Sequence, residues 1–274
     1  MVKIPTQDDN KFTTTYLLNK TSVESGKRSQ RLGMATLGEP CFRAMWFKFR
    51  WVRTGTHIQR RIKRIFSTGD AFEKIAIADL ISIGYVVTDQ QKMVPGYGGH
   101  ILGYIDGIVM NVIEAPKTPH LLEVKSMNDR NFQQVKKHGV EKAQNKHFYQ
   151  TQSYMGKLDL TRTLYVAVNK NDSEVYVERI YFDQAKYKER MHRAIDVVSC
   201  EETPPNLFNN PKAKECMWCD FNPVCYDQLE YEKSCRTCSR VDIENDGKWS
   251  CSLLKKQLTY DDQVAGCNQY RRIK

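Results

Sequence analysis

Nine cysteines stand in this chain of 274 residues, and seven of them fall between Cys216 and Cys267. That crowding constrains the fold more than any apolar pattern, because clustered thiols in a reducing compartment read as metal ligands before they read as disulfides. Cys216-Met-Trp-Cys219 followed by Cys225 is a C-x2-C-x5-C run, three thiolates close together and one short of a four-coordinate site. Downstream, Cys235, Cys238, Cys251 and Cys267 supply a C-x2-C knuckle and two separated cysteines. Those four are compatible with tetrahedral zinc in a tail too short to bury a core of its own, where a metal would substitute for apolar area. A second cluster is the alternative there. Cys41 and Cys200 stand outside both groups.

The compartment itself is an expectation. No run of about 18 apolar residues exists, so no membrane contact is expected. The opening segment has no apolar stretch suited to a secretory leader, which points to the cytoplasm, including that of an infected bacterial host for a phage-encoded chain. Lys and Arg number 42 against 32 Asp and Glu, and the resulting charge of +10 favours a polyanionic partner.

Periodicity divides the chain into a polar arm over 1–40, a core over 41–230 and a cysteine-rich tail over 231–274. Cys41–Trp51 is aromatic, basic and helical in pattern. Phe72, Ile75, Ala76, Leu80 and Ile83 fall at helical spacing ahead of Gly84. Strands are predicted around Tyr85–Val87, over Ile101–Ile113 and over His120–Ser126. A long helix follows from Asn131 to Leu158, eased at Gly139, then a hairpin over 164–182 and a helix over 183–199. The order is α, β, β, β, α, β, β, α, an α/β fold.

Glu123 and Lys125 share one face of their strand, while Leu122 and Val124 point to the other. A neighbouring strand could bring Asp106 beside Glu123. Paired carboxylates raise one another's pKa unless a cation sits between them, and Mg²⁺ or Mn²⁺ suits hard oxygen ligands with positions left open for phosphate. Lys125 would then orient or deprotonate the attacking water, or offset charge in the transition state. Arg60, Arg61, Lys63 and Arg64 are candidates for holding a nucleic-acid backbone, as are Lys136, Lys137, Lys142 and Lys146.

Asp106 followed by Glu123-x-Lys125 resembles the PD-(D/E)xK nuclease motif, and the element order resembles that superfamily's restriction-endonuclease-like αβββαβ core. Gln150-Thr-Gln-Ser-Tyr154 is similar to the QxxxY motif of its RecB-like branch, with Gln152 a competing choice for the glutamine. Gly69-Asp-Ala-Phe-Glu73 resembles the Gly-x3-(His/Glu) motif of that branch, with Gly55-Thr-His57 as a rival. Cys41-Phe-Arg43 and the C-x2-C-x5-C run resemble the iron–sulfur members of the branch, the AddB and CRISPR-associated kind. The resemblance implies Mg²⁺ or Mn²⁺ held by Glu73, Asp106, Glu123 and the Val124 carbonyl, with Gln150 and Tyr154 positioning substrate. It also implies a 4Fe–4S cluster on Cys41, Cys216, Cys219 and Cys225. Cys200 is the alternative fourth ligand, and zinc the alternative metal.

The expected activity is a metal-dependent DNA exonuclease that processes ends in recombination, repair, CRISPR adaptation or phage replication. A non-catalytic metal-stapled binding protein and a site-specific endonuclease are the alternatives. No G-x4-G-K-(S/T) run is present, so a helicase, annealing protein or other recombination factor would be a separate partner. His147 is of interest only if the fold brings it to the cleft.

Overall fold

In the computed structural model, which describes residues 13–24, 27–53 and 57–273, a five-stranded sheet organises the chain. The elements that matter are α1 (Phe42–Phe49), α2 (Arg60–Ser82), β1 (Val86–Thr88), β2 (Gly107–Met110) and β3 (His120–Met127). They are followed by α3 (Asp129–Ala143), α4 (Asn145–Leu158), β4 (Arg162–Asn169), β5 (Val175–Tyr181) and α5 (Gln184–Ser199). Strand order is β5-β4-β3-β2-β1. The pairs are antiparallel except β3 with β4, which run parallel. A parallel pair needs a long crossover, and α3 with α4 supplies it.

Alternation along β3 sets the two layers. Leu122 and Val124 join Ala76, Ile77 and Leu80 of α2 on one face of the sheet. Leu121 and Met127 enter the larger core with Phe132 and Val135 of α3 and Tyr154 and Met155 of α4. Glu123 therefore points toward α4. β4 is buried along nearly its whole length, as expected of a strand covered on both faces.

Several boundaries differ from the sequence reading. The single strand expected over Ile101–Ile113 is two. Ile101–Tyr104 belongs to a separate three-stranded sheet with Leu32–Gly33 and Met93–Pro95, and only β2 joins the main sheet. The chain changes sheets at Ile105–Asp106. The long helix is likewise two, meeting at Gln144 with φ −137° and ψ 59°. Gly139, at φ 74° and ψ 166°, breaks the helical path within α3, a conformation that only glycine takes up readily. The Val140 N–H next to it donates to Glu178 Oε2 at 2.9 Å.

α2 begins at Arg60, ahead of the apolar period that starts at Phe72, so Arg60, Arg61, Lys63 and Arg64 form its first turns. Residues 1–12 of the polar arm fall outside the described residues. Residues 25–26 also fall outside them; among the described residues of the arm, Thr13–Lys20 is helical, and Leu32, Met34 and Leu37 are core residues. Their apolar runs are too short to show a period. Trp46, Phe47, Phe49 and Trp51 are all buried.

The tail does not pack as a unit of its own. Val241–Ile243, Trp249–Cys251 and Lys256–Gln257 form a small antiparallel sheet. Trp249 is fully buried, its ring centroid 5.0 Å from Phe49 and 5.4 Å from His100. Arg236 is buried too, its guanidinium 3.9 Å from the Trp51 ring and 4.4 Å from that of Trp249. It donates to Gln263 Oε1, Phe49 O and Gln30 O. No helix among the described residues is long and apolar enough to cross a membrane.

Candidate active site

β2 begins at Gly107, opposite Leu122 of β3. One residue earlier, the side chain of Asp106 continues the pattern in place of backbone: its Oδ2 accepts the Val124 N–H at 2.7 Å. The end of the β2–β3 ladder thus fixes the carboxylate. Burial raises its pKa, against the opposing pull of Lys125 and of that hydrogen bond.

Glu123 is completely buried. Its Oε1 accepts from Gln150 Nε2 at 2.8 Å and is in contact with the Lys125 ammonium. Its Oε2 has no hydrogen-bond partner. An orphaned carboxylate oxygen in such a place is costly, and burial first, then Asp106, pushes the Glu123 pKa up to about 7 despite Lys125. Lys125 also donates to Val124 O at 3.3 Å. Burial pulls its pKa down, but Glu123 and Asp106 outweigh that, so it stands above the ordinary value and the ammonium stays charged.

Glu73 reaches the same place from α2. It accepts from Gln91 Nε2 at 2.8 Å, and burial followed by the Asp106 charge raises its pKa. The structure therefore brings together Glu73, Asp106, Glu123 and Lys125 from one helix and two adjacent strands. The side chains of Gly55-Thr56-His57, the rival segment, fall outside the described residues. Gln91 was not anticipated: it sits in a turn with φ 55°, and nothing in its neighbourhood's pattern marks it.

α4 closes the other side. Gln150 and Tyr154, one turn apart, both face β3. The Tyr154 hydroxyl donates to Tyr104 O at 2.9 Å, and its ring lies over Gly103, where an added Cβ would come within 2.6 Å of Tyr Cε1. Burial, then Glu123 and Asp106, raise the Tyr154 pKa. Gln152 points elsewhere, donating to Tyr181 O and accepting the Asp183 N–H. Of the two glutamines, Gln150 is the one that touches Glu123. His147, one turn before Gln150, does border the cluster. Its Nδ1 is 2.7 Å from Tyr165 Oη, and burial followed by Lys125 and Lys146 lowers its pKa to about 3. It is therefore neutral beside the lysine.

The basic residues of α2 are partly engaged elsewhere. Arg60 donates to Thr21 Oγ1, and Arg64 to Leu18 O and Asn19 Oδ1, holding the helix Thr13–Lys20. Arg61 and Lys63 are exposed. At ~1.5 Å rise per residue, this basic turn lies roughly 13–20 Å along α2 from Glu73. Lys136 pairs with Glu174 and Lys146 with Glu39, while Lys137 and Lys142 are exposed.

The cysteines assemble in two places. Cys41, Cys216, Cys219 and Cys225 line one cavity of about 20 Å³, with Arg43 and Tyr226 at its edge. Cys235, Cys238, Cys251 and Cys267 line another. Cys200 lies apart from both, its thiol donating to Glu202 O, and its carbonyl accepting from Trp46 Nε1 and from Arg50. Burial, and then Cys267, Cys238 and Cys251, push Cys235 up to about 11. All nine thiols are free. Among the described residues, no three His, Cys, Asp or Glu side chains already stand at metal-coordinating spacing. The fit to a metal thus rests on the donor sets: paired buried carboxylates with an orphaned oxygen, and thiols in fours.

No family model matches the chain, and no curated protein matches it. Among solved structures, the protein called SSO0001 aligns with 75% of this chain and 90% of its own at 16% identity and a TM-score of 0.46. An alkaline exonuclease, LHK-Exo from Laribacter hongkongensis, aligns with 62% of this chain and 89% of its own at 16% identity and a TM-score of 0.41. The same exonuclease in complex with dAMP aligns at 15% identity and a TM-score of 0.40. These alignments are remote in both sequence and backbone.

Proposed function

We propose that this chain is a divalent-metal-dependent deoxyribonuclease that hydrolyses phosphodiester bonds at DNA ends. The observation that carries the reading is Glu123: fully buried, one oxygen orphaned, within the field of Asp106 and Glu73, and touched by Lys125. A structural carboxylate has no use for that arrangement, which costs stability without an obvious return in packing. A cation with open positions relieves it.

Glu73, Asp106, Glu123 and the Val124 carbonyl are the groups that would hold Mg²⁺ or Mn²⁺. Bound there, the ion supplies a Lewis acid for the scissile phosphate and a water of lowered pKa. The protein does the rest. Gln150 fixes the Glu123 carboxylate through its amide, and the Val124 N–H fixes Asp106. The charged Lys125 ammonium offsets negative charge that grows on the phosphate oxygens and orients the attacking water. Tyr154, anchored on Tyr104 O, forms a wall that positions the strand. Arg61 and Lys63 supply exposed charge for the backbone beyond the cleft.

Cys41, Cys216, Cys219 and Cys225 are proposed as a thiolate metal staple between α1 and the segment after α5. Closing a loop of that length constrains the unfolded chain strongly. The family resemblance implies a 4Fe–4S cluster, whose brown colour and bleaching on reduction identify it. A single zinc ion on the same four thiolates is the second reading. Anaerobic purification followed by iron and zinc analysis separates the two.

The activity test uses end-labelled linear duplex, single-stranded and closed circular DNA, each with Mg²⁺ or Mn²⁺. Loss of linear substrate with circles intact supports the exonuclease. Nicked or linearised circles would make it an endonuclease, and binding without cleavage in either metal would leave a non-catalytic binding protein.

A further inference from the structure

The tail holds a second set of thiols that the proposed chemistry does not use. Cys235 and Cys238 bracket a tight turn, Cys235–Thr237, closed by a reciprocal cap between Ser234 and Thr237. Cys251 ends a strand of the small sheet, and Cys267 follows the helix Tyr260–Ala265. Three different pieces of chain thus present four thiols to one cavity, which opens to solvent past the exposed Leu253, Leu254 and Cys267. The Arg271 N–H donates to Cys238 Sγ at 3.4 Å, which suits a thiolate, while the Cys235 thiol donates to Asp262 O at 3.2 Å, a contact that metal binding would replace.

Between the two knuckle cysteines sits Arg236, 1% exposed and held in the core by two tryptophan rings and three acceptors. The position of the turn that carries this guanidinium therefore sets where it is seated. The small sheet has three strands of two or three residues each, too little to fix that turn by itself.

We propose that Cys235, Cys238, Cys251 and Cys267 bind a structural zinc ion that locks the knuckle and thereby holds Arg236 between Trp51 and Trp249. A C-x2-C turn joined to a small antiparallel sheet suits one tetrahedral ion with four thiolates. The ion has no part in phosphodiester cleavage, so the proposal stands apart from the nuclease reading.

The test measures zinc and iron by elemental analysis in the anaerobically purified full chain, in Cys251→Ser and, as a control for thiol loss, in Cys200→Ser. The expected result is that Cys251→Ser lowers zinc by about one ion per chain and leaves iron unchanged, while Cys200→Ser alters neither. Loss of iron with Cys251→Ser would overturn the proposal in favour of a second cluster, and unchanged zinc would overturn it outright. Should Cys251→Ser fail to fold, Co²⁺ is exchanged into the otherwise intact tail of Cys41→Ser, in which the other set of four thiols is incomplete. Ligand-field and charge-transfer bands of a tetrahedral tetrathiolate in Cys41→Ser support the site, and their absence from that variant counts against it. Zinc chelation of the wild-type chain is further expected to shift tryptophan emission as Trp51 and Trp249 lose Arg236. Zinc loss with unchanged emission would refute the locking role.

Discussion

Glu123 is the residue at which stability and function pull in opposite directions. Its carboxylate is held above the ordinary range, so its contribution is fully present below the unfolded value of 4.5 and is lost as pH rises toward about 7. His147 acts with the other sign. Its pKa is lowered to about 3 from 6.5, so its contribution is present above 6.5 and is lost as pH falls below that value. The two oppose each other between 4.5 and 6.5. Equilibrium denaturation across that range should show His147→Asn gaining relative stability in acid. Glu123→Gln should gain it near neutrality in chelator, and the same pH slope in all three proteins would contradict the assignment. Asp106→Asn keeps an oxygen for the Val124 N–H while removing a buried charge. It is expected to raise metal-free stability by on the order of 1 kcal/mol while abolishing cleavage. Gln150→Ala, which frees the Glu123 carboxylate to turn, should lower cleavage about 10–100-fold. A normal rate would mean that the amide is structural only.

At the scale of elements, the fit of α4 against the second sheet decides where Tyr154 lies. Gly103→Ala puts a methyl group into the tyrosine ring and should cost about 1–3 kcal/mol, with cleavage impaired as the hydroxyl leaves Tyr104 O. Gly69 is the contrasting case. It lies inside α2 with nothing within 4 Å of an added Cβ, so Gly69→Ala should stabilise by roughly 0.5–1 kcal/mol and leave cleavage unchanged. Thermal melts and rates on linear DNA check both. The glycine of the Gly-x3-Glu pattern is therefore not sterically required, although Glu73 four residues on does reach the cluster. The elements themselves were legible where periodicity ran long, as in α2, α4, α5 and the β4–β5 hairpin. The split of Ile101–Ile113 was not, because Asp106 replaces a backbone partner with a side chain, and no hydrophobic pattern records such a substitution. The register of β3 was readable from Leu122 and Val124, and with it the face on which Glu123 and Lys125 stand.

For the whole molecule, the sequence suggests a core followed by a metal-bound tail, and packing joins them. Spacing alone groups Cys216, Cys219 and Cys225, and Cys235, Cys238, Cys251 and Cys267; Cys41 joins the first group only through the family resemblance, with Cys200 its rival. The burial of Trp249 and Arg236 against α1 was not legible, because both lie in a stretch of mostly polar residues with no period of its own. A chain ending at 230 would expose Phe49, Trp51 and His100. It should therefore aggregate or melt at markedly lower temperature than the full chain, as judged by scanning calorimetry. A truncated chain with unchanged melting would mean that the tail is an independent module. The central claim, that Glu73, Asp106, Glu123 and Lys125 form a metal-dependent nuclease centre, is tested most directly by single-turnover cleavage. Wild type and Glu123→Gln would be compared on an end-labelled linear duplex in Mn²⁺ with cofactor-replete protein. The wild type is expected to release label, and the variant to do so at a rate at least ~10³-fold lower. Equal rates in the two proteins, or no cleavage by the wild type, would contradict that claim.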